Sequence, residues 1–294
     1  VRLLGRYAHP VGLGLVFAGL LFLGYVFLVT APMTQTVGYD AYAYWTVTLP
    51  DPYDTPLGDL GAFNYAPPVA QIADWFGALE WWVFLWLWMM LLVGTVIWVA
   101  GRPSWALVAF AVPFVTIDLY HGNIHILLAA AVVLGFRHPW AWAFVLFTKP
   151  TCGVGLLWFV WRREWRSLAI ALGATAAVAS VSFVLMPQLW FDYVDMLLRG
   201  LGNTPDIVNI TIPLWLRLVL AATLVSWGAL TDRRWTVVVS AMMVVPVLWI
   251  GAGAMLIGLI PEVRRSTGAE PLGWAALRPG GRAVGPVQAA GPEA

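Results

Sequence analysis

From Arg6 to Arg234 the sequence is a succession of long apolar stretches whose interruptions alternate between arginine and aspartate. An α-helix needs about 20 predominantly apolar residues to cross about 30 Å of hydrocarbon, and in hydrocarbon only structures that satisfy their own backbone donors and acceptors persist. The pattern predicts an all-α polytopic membrane protein. Composition removes the competing classes: 61% of the residues are hydrophobic and 11% charged, less than half the charge of an ordinary soluble domain, about 25%. A cytosolic enzyme, a nucleic-acid binder and a disordered regulator are excluded on that ground. The single cysteine, Cys152, falls in an apolar stretch outside any metal-type spacing, so disulfide and redox roles are not expected.

Sidedness follows from the cations, which collect in cytoplasmic loops. Arg2 and Arg6, Arg102, Arg137, Arg162 with Arg163 and Arg166, Arg233 with Arg234, and the group from Arg264 to Arg282 are placed inside. Asp40, Asp51, Asp54, Asp59, Asp74 and Glu80, then Asp118, then Asp192, Asp195 and Asp206 are placed outside. The predicted path leaves through residues 11–31, makes a long first extracytoplasmic loop over 32–79, and returns through 82–100. It goes out over 105–117 and back over 124–136. Segments 140–148 and 152–161 are too short to cross alone and form a broken hairpin around Lys149. Then 168–186 goes out and 211–230 returns, and 235–260, interrupted by Pro246, Gly251 and Gly253, forms a second broken hairpin. The expectation is about ten membrane segments in one transmembrane domain, residues 1–260. A Gly-, Pro- and Ala-rich cytoplasmic tail, 261–294, is expected to be disordered. The first stretch, behind Arg2 and Arg6, is long for a secretory signal and is read as a retained span.

Four places carry polar chemistry. In the long loop, V-G-Y-D-A-Y-A-Y-W (37–45) sets Asp40 among Tyr39, Tyr42, Tyr44 and Trp45, a partly desolvated carboxylate suited to general-base work. Asp54, in D-P-Y-D (51–54), is the other candidate base, and F-N-Y-A-P-P (63–68) adds Asn64 and Tyr65. The competing reading of the loop is an interfacial aromatic belt with solvated aspartates. H-G-N-I-H (121–125), preceded by Asp118, has the residue types of a zinc site, but Gly122 breaks the helical spacing and favours a polar turn with Asn123 and His125 facing a cavity. F-T-K-P (147–150) holds Lys149, the one lysine among 16 cations. A compact cation at a broken membrane helix suits an anion such as phosphate, and the alternative is snorkelling to a surface. Finally, Arg217 lies about 9 Å along a helix from Thr211, deep enough to need an anion or a structural partner. The N-x-T at Asn209–Thr211 matches a glycosylation pattern, discounted in a chain of bacterial composition.

In order, these motifs resemble glycosyltransferase family 87, the membrane mannosyltransferases of the GT-C superfamily that use polyprenyl-phosphate sugars. The resemblance rests on Asp40 and Tyr44 in the first loop, on Phe63, Tyr65, Pro67 and Pro68 with Ala66 inserted, and on the turn Gly122, Asn123, Ile124 and His125. It continues through Lys149 and Pro150 ahead of the Trp161–Arg166 end, and through Asn209, Thr211 and Arg217. His125 stands where the family carries Asn, and the chain is shorter than typical members. The resemblance implies a GT-C-like fold and an inverting transfer of mannose, or of arabinofuranose, from a polyprenyl-phosphate donor to an envelope glycolipid or glycan. The reaction would occur on the extracytoplasmic face of a bacterial cytoplasmic membrane, with no metal or other cofactor. It implies Asp40 as base, Lys149 and Arg217 as donor-phosphate ligands, and Tyr44, Asp54, Asn64, Tyr65, Asn123 and His125 as substrate-binding groups. Its partners are then the lipid-linked donor, the acceptor and membrane lipids, not nucleic acid. A polyprenyl-phosphate-sugar transporter or flippase, and an inactive scaffold of an envelope-assembly complex, are the alternatives.

Overall fold

The computed structural model describes residues 37–101, 105–200 and 212–266, with isolated positions between 14 and 29. Among the described residues it is all-helical. Most of the first expected span, 11–31, and residues Asn209 and Thr211 lie outside that set, as does the tail beyond Ser266.

The uninterrupted apolar runs form the long helices, because a backbone in hydrocarbon has only its own groups to bond. Helix α3 (Trp81–Ala100) and helix α8 (Trp165–Leu185), of 20 and 21 residues, are each long and apolar enough to cross a membrane. Both turn large apolar side chains outward, Trp86 and Ile97 on the first and Val181 and Val184 on the second. Helices α4 (Trp105–His121) and α5 (His125–Gly135) reach that standard only as one broken unit, bent by 118°. The described residues thus hold two helices of spanning length, or three spans with the bent pair, and the other apolar helices among them are shorter.

The shorter ones occur where proline or glycine interrupts an apolar run. Helix α6 (Trp142–Thr148), entered through a 3-10 turn at Pro139–Ala141, ends at Lys149 because Pro150 lacks an N–H and pushes its predecessor out of helical geometry, here φ −139° and ψ 79°. A 3-10 segment, Pro150–Leu156, and helix α7 (Leu157–Trp161) complete this hairpin. Helix α10 (Leu214–Leu230) packs along helix α11 (Trp235–Met243), and a second 3-10 segment, Ile250–Gly258, inserts between α4 and α5 before helix α12 (Leu259–Ser266). A side chain at Gly253 would overlap the Phe114 ring, so that insertion requires glycine. Trp142, fully buried, fills a notch between Gly135 and Gly155.

Three regions differ from expectation. The long loop contains helix α1 (Tyr39–Trp45), helix α2 (Pro67–Ala73) and a 3-10 turn, Asp74–Ala78. Residues after the α8 end form an amphipathic helix α9 (Pro187–Gly200), with Leu189, Tyr193 and Met196 buried. The chain is still helical from 261 to 266, the start of the expected tail.

The bundle has two chemically distinct ends. At one, Arg162 pairs with Glu164 (3.1 Å) and Asp232 (3.2 Å), and Arg265 with Asp232 (3.3 Å). At the other, α1 and α2 lie over the α4–α5 turn and the α6 end, tied down by Gly38 N–H to the Tyr120 carbonyl (2.8 Å) and Ala66 N–H to the Phe147 carbonyl (3.0 Å).

Candidate active site

The site is built where α1 meets the α4–α5 turn. Gly122 takes φ +67°, and a Cβ there would stand 2.6 Å from the Ala41 Cβ, so a glycine is what lets helix and turn touch. The Gly122 carbonyl accepts a bond from Trp88 Nε1 (2.7 Å), which fixes the turn to α3.

Asp40 lies in the first turn of α1, half-buried. Its Oδ2 accepts a hydrogen bond from Asn123 Nδ2 at 2.7 Å. The orientation of that amide is set independently, because Asn123 Oδ1 accepts from the Ile124 N–H at 2.7 Å. Behind Asn123 stands Asp118, fully buried, which accepts three times: its carbonyl from Asn123 N–H (3.0 Å), Oδ1 from His125 Nδ1 (2.8 Å) and Oδ2 from Ile126 N–H (3.2 Å). Asp118 is the organiser of this turn, and the sequence had marked it only as a neighbour of the histidines. A carboxylate four residues ahead of a Gly-Asn turn is the signal that could have found it. His125 is 1% exposed, with Nε2 free of any partner among the described residues, and packs near Trp249.

One helical turn beyond Asp40, on the same face of α1, the Tyr44 hydroxyl is 3.0 Å from that of Tyr65. Burial first, then the neighbouring Tyr65 and Asp40, raise the Tyr44 phenol well above its ordinary range, so it stays protonated. Tyr65 is itself placed by its backbone, whose carbonyl accepts from Tyr53 OH at 2.9 Å. Burial likewise raises the Tyr53 phenol and keeps it a donor. The Lys149 Nζ stands 4.9 Å from the centroid of the Tyr65 ring. It gets there through the Ala66–Phe147 backbone bond, which docks the F-N-Y-A-P-P segment against the end of α6, and through Pro150, which turns Lys149 out of the helix.

Asp40, Asn123, Tyr44, Tyr65 and Lys149 therefore form one connected cluster, with Tyr44, Tyr65 and Asn123 buried, Asp40 beside Tyr44 and the Lys149 ammonium over the Tyr65 ring. The other expected residues are placed elsewhere. Asp54 and Asn64 are solvent-exposed on the outer segment. Arg217 is 5% exposed and gives its guanidinium to backbone carbonyls, Nε to Ile212 (3.0 Å), Nη1 to Met243 (2.9 Å) and Val245 (2.7 Å), and Nη2 to Pro246 (3.0 Å). Ile212 precedes α10, whereas Met243, Val245 and Pro246 lie at and just beyond the C-terminus of α11, where carbonyls lack helical partners. The same stretch accepts the Thr151 hydroxyl at Val244 (2.5 Å), so Arg217 and the Lys149 hairpin are both tied to one turn.

An apolar helical bundle with a carboxylate, a tyrosine pair and an ammonium clustered at one end defines a membrane protein with a polar site. The model of glycosyltransferase family 87 matches residues 63–281, and the chain belongs to that family of glycosyltransferases. Neither a curated protein nor a solved structure matches it. The matched region includes Tyr65, Asn123, Lys149 and Arg217, whereas α1, with Asp40 and Tyr44, precedes it.

Proposed function

We propose that this protein is an inverting glycosyltransferase that moves a sugar, mannose or arabinofuranose, from a polyprenyl-phosphate donor to an envelope glycolipid or glycan at the extracytoplasmic face of a bacterial cytoplasmic membrane. The observation that carries the reading is the placement of Asp40 and Lys149 on opposite sides of the Tyr44–Tyr65 pair. Transfer of this kind needs a base for the acceptor and a cation for the leaving group, separated by room for one sugar.

In the proposed step the Asp40 carboxylate takes the proton of the acceptor hydroxyl. The acceptor oxygen bonds to the anomeric carbon from the face opposite the phosphate, which inverts the centre. The bond between that carbon and the phosphate oxygen breaks, its electron pair leaves with the polyprenyl phosphate, and Lys149 stabilises the developing anion. Asn123 holds one Asp40 oxygen and leaves the other to face the acceptor. Tyr44 and Tyr65, buried and hydrogen-bonded to each other, form the wall between the carboxylate and the ammonium, while Arg217 acts on the donor side by fixing the turn that supports the Lys149 hairpin. A family assignment, an apolar bundle and a carboxylate–ammonium pair at one end of it support this reading.

The test is sugar transfer by the purified protein in lipid, supplied with polyprenyl-phosphate-mannose, then the arabinose donor, and a mixed envelope glycolipid extract. Wild type is expected to form product, and Asp40→Ala to bind donor while transfer falls about 100-fold or more. Donor binding with no product from either protein, across several acceptors, would indicate a carrier or scaffold.

A further inference from the structure

The end of the bundle opposite Asp40 holds a pocket that the transfer reaction does not use. It has a volume of about 390 Å³ and is lined by Asp232, Arg233, Arg234, Trp235, Glu262 and Arg265, with Thr231 at its edge. That volume is in the range of small-ligand sites, about 300–1,000 Å³.

The charges around it are unevenly satisfied. Both oxygens of Asp232 are taken, one by Arg162 at 3.2 Å and the other by Arg265 at 3.3 Å, and Arg162 is further held by Glu164 and the Ala229 carbonyl. Arg233 and Arg234, in contrast, have no carboxylate within salt-bridge distance among the described residues. Each guanidinium is instead laid over an aromatic ring, Arg233 over Trp227 (5.3 Å) and Arg234 over Phe136 (4.9 Å). Stacking of this kind orients the planar fork without using its N–H groups. The Nε of Arg234 is buried and has no acceptor among the described residues. Glu262 is the one remaining acid, and its carboxyl is held above the usual range by burial, against the opposing pull of Arg234 and Arg265. It makes no ion pair with Arg233, Arg234 or Arg265 among the described residues. The two arginines also stand at the N-terminus of α11, where the aligned peptide dipoles favour an anion.

We propose that this pocket binds a phosphate group, held by Arg233 and Arg234, and that the phosphate is presented by an anionic phospholipid of the adjoining leaflet. Planar guanidinium forks match phosphate oxygens in pairs. The lipid source is favoured by the surroundings: Trp140, Trp161, Trp165 and Trp227, all exposed, belong to the segments gathered at this end. Tryptophan so placed marks the level of lipid headgroups.

The experiment measures retention of phosphatidylglycerol by the detergent-purified full chain, by native mass spectrometry across a lipid titration, with phosphatidylcholine as the neutral control. A second arm adds inorganic phosphate and glycerol phosphate as competitors. Arg233→Gln and Arg234→Gln are each expected to weaken phosphatidylglycerol binding about tenfold. Arg166→Gln, which removes one exposed charge at the same end, is expected to leave it unchanged. Glu262→Gln is expected to tighten it, a gain that misfolding cannot imitate. Equal weakening by Arg166→Gln and Arg234→Gln, or no gain with Glu262→Gln, overturns the site. Displacement by inorganic phosphate at concentrations matching the lipid overturns the lipid source. Binding is read without sugar transfer, so either result stands apart from the proposed reaction.

Discussion

A carboxylate that is to take a proton from one direction, as proposed for Asp40, must be held from another, and Asn123 bonds Asp40 with an amide whose own orientation a backbone N–H fixes. Asn123→Ala frees the Asp40 carboxylate to rotate. Transfer kinetics are expected to show kcat lowered about tenfold with KM little changed, the split that marks an interaction made mainly in the transition state. A raised KM with kcat unchanged would assign Asn123 to substrate binding alone. At the other end of the molecule, Glu262 yields a pH prediction. Its carboxyl, ordinarily near 4.5, is raised by burial more than Arg234 and Arg265 lower it, while Asp232 adds to the rise. The folded state therefore holds the proton more tightly than the unfolded one. That contribution is fully present below about pH 4.5 and is lost as pH rises through the folded value. Glu262→Gln is expected to remove this fall, seen as a flatter dependence of thermal stability on pH above that point. Lys149 was legible from residue type, because a lone lysine between apolar segments has few structural reasons to be there. The partners of Arg217 were not, since sequence shows how deep a cation lies and not which carbonyls a distant proline has left open.

Helices with an unbroken apolar run, α3 and α8 above all, could be read directly, because hydrocarbon allows such a run nothing else. Helix α9 was hidden by its charges: Asp192, Asp195 and Arg199 read as loop until Leu189, Tyr193 and Met196 are seen to share its buried face. Helices α1 and α2, of 7 residues each, are too short to show a period and exist through their contacts. Two substitutions test how elements are joined. Gly122→Ala meets both a left-handed backbone and the Ala41 Cβ. The backbone conformation alone costs about 1–2 kcal/mol, and relief of the clash would lift α1 from the turn. Lower thermal stability is expected together with a loss of transfer larger than stability explains, because Asp40 moves with α1. Arg217→Lys keeps the charge, but an ammonium cannot reach four dispersed carbonyls from one point. A destabilisation of about 2–4 kcal/mol is expected, and wild-type stability in that variant would return Arg217 to the donor phosphate.

On the scale of the whole molecule, the chemistry depends on which side of the membrane each end faces. The proposed orientation puts the Asp232 end, with Arg162, Arg233, Arg234 and Arg265, in the cytoplasm, and α1, α2 and Asp54 outside. A transferase so oriented would have no nucleotide sugar within reach, and the lipid-borne donor of the proposal rests on that orientation and not on the site alone. Cys152 makes the test clean: it is fully buried, its thiol bonded to the Ala241 carbonyl at 3.2 Å, and it gives no background with a membrane-impermeant thiol reagent. Asp54→Cys and Arg166→Cys each place a thiol at an exposed position, one at either end. In intact cells the reagent is expected to modify the first and not the second, and both after permeabilisation. The reverse pattern would put Asp40 and Lys149 in the cytoplasm, where nucleotide sugars are present, and the lipid-phosphate donor would lose its physical necessity even though the geometry of the site stayed the same.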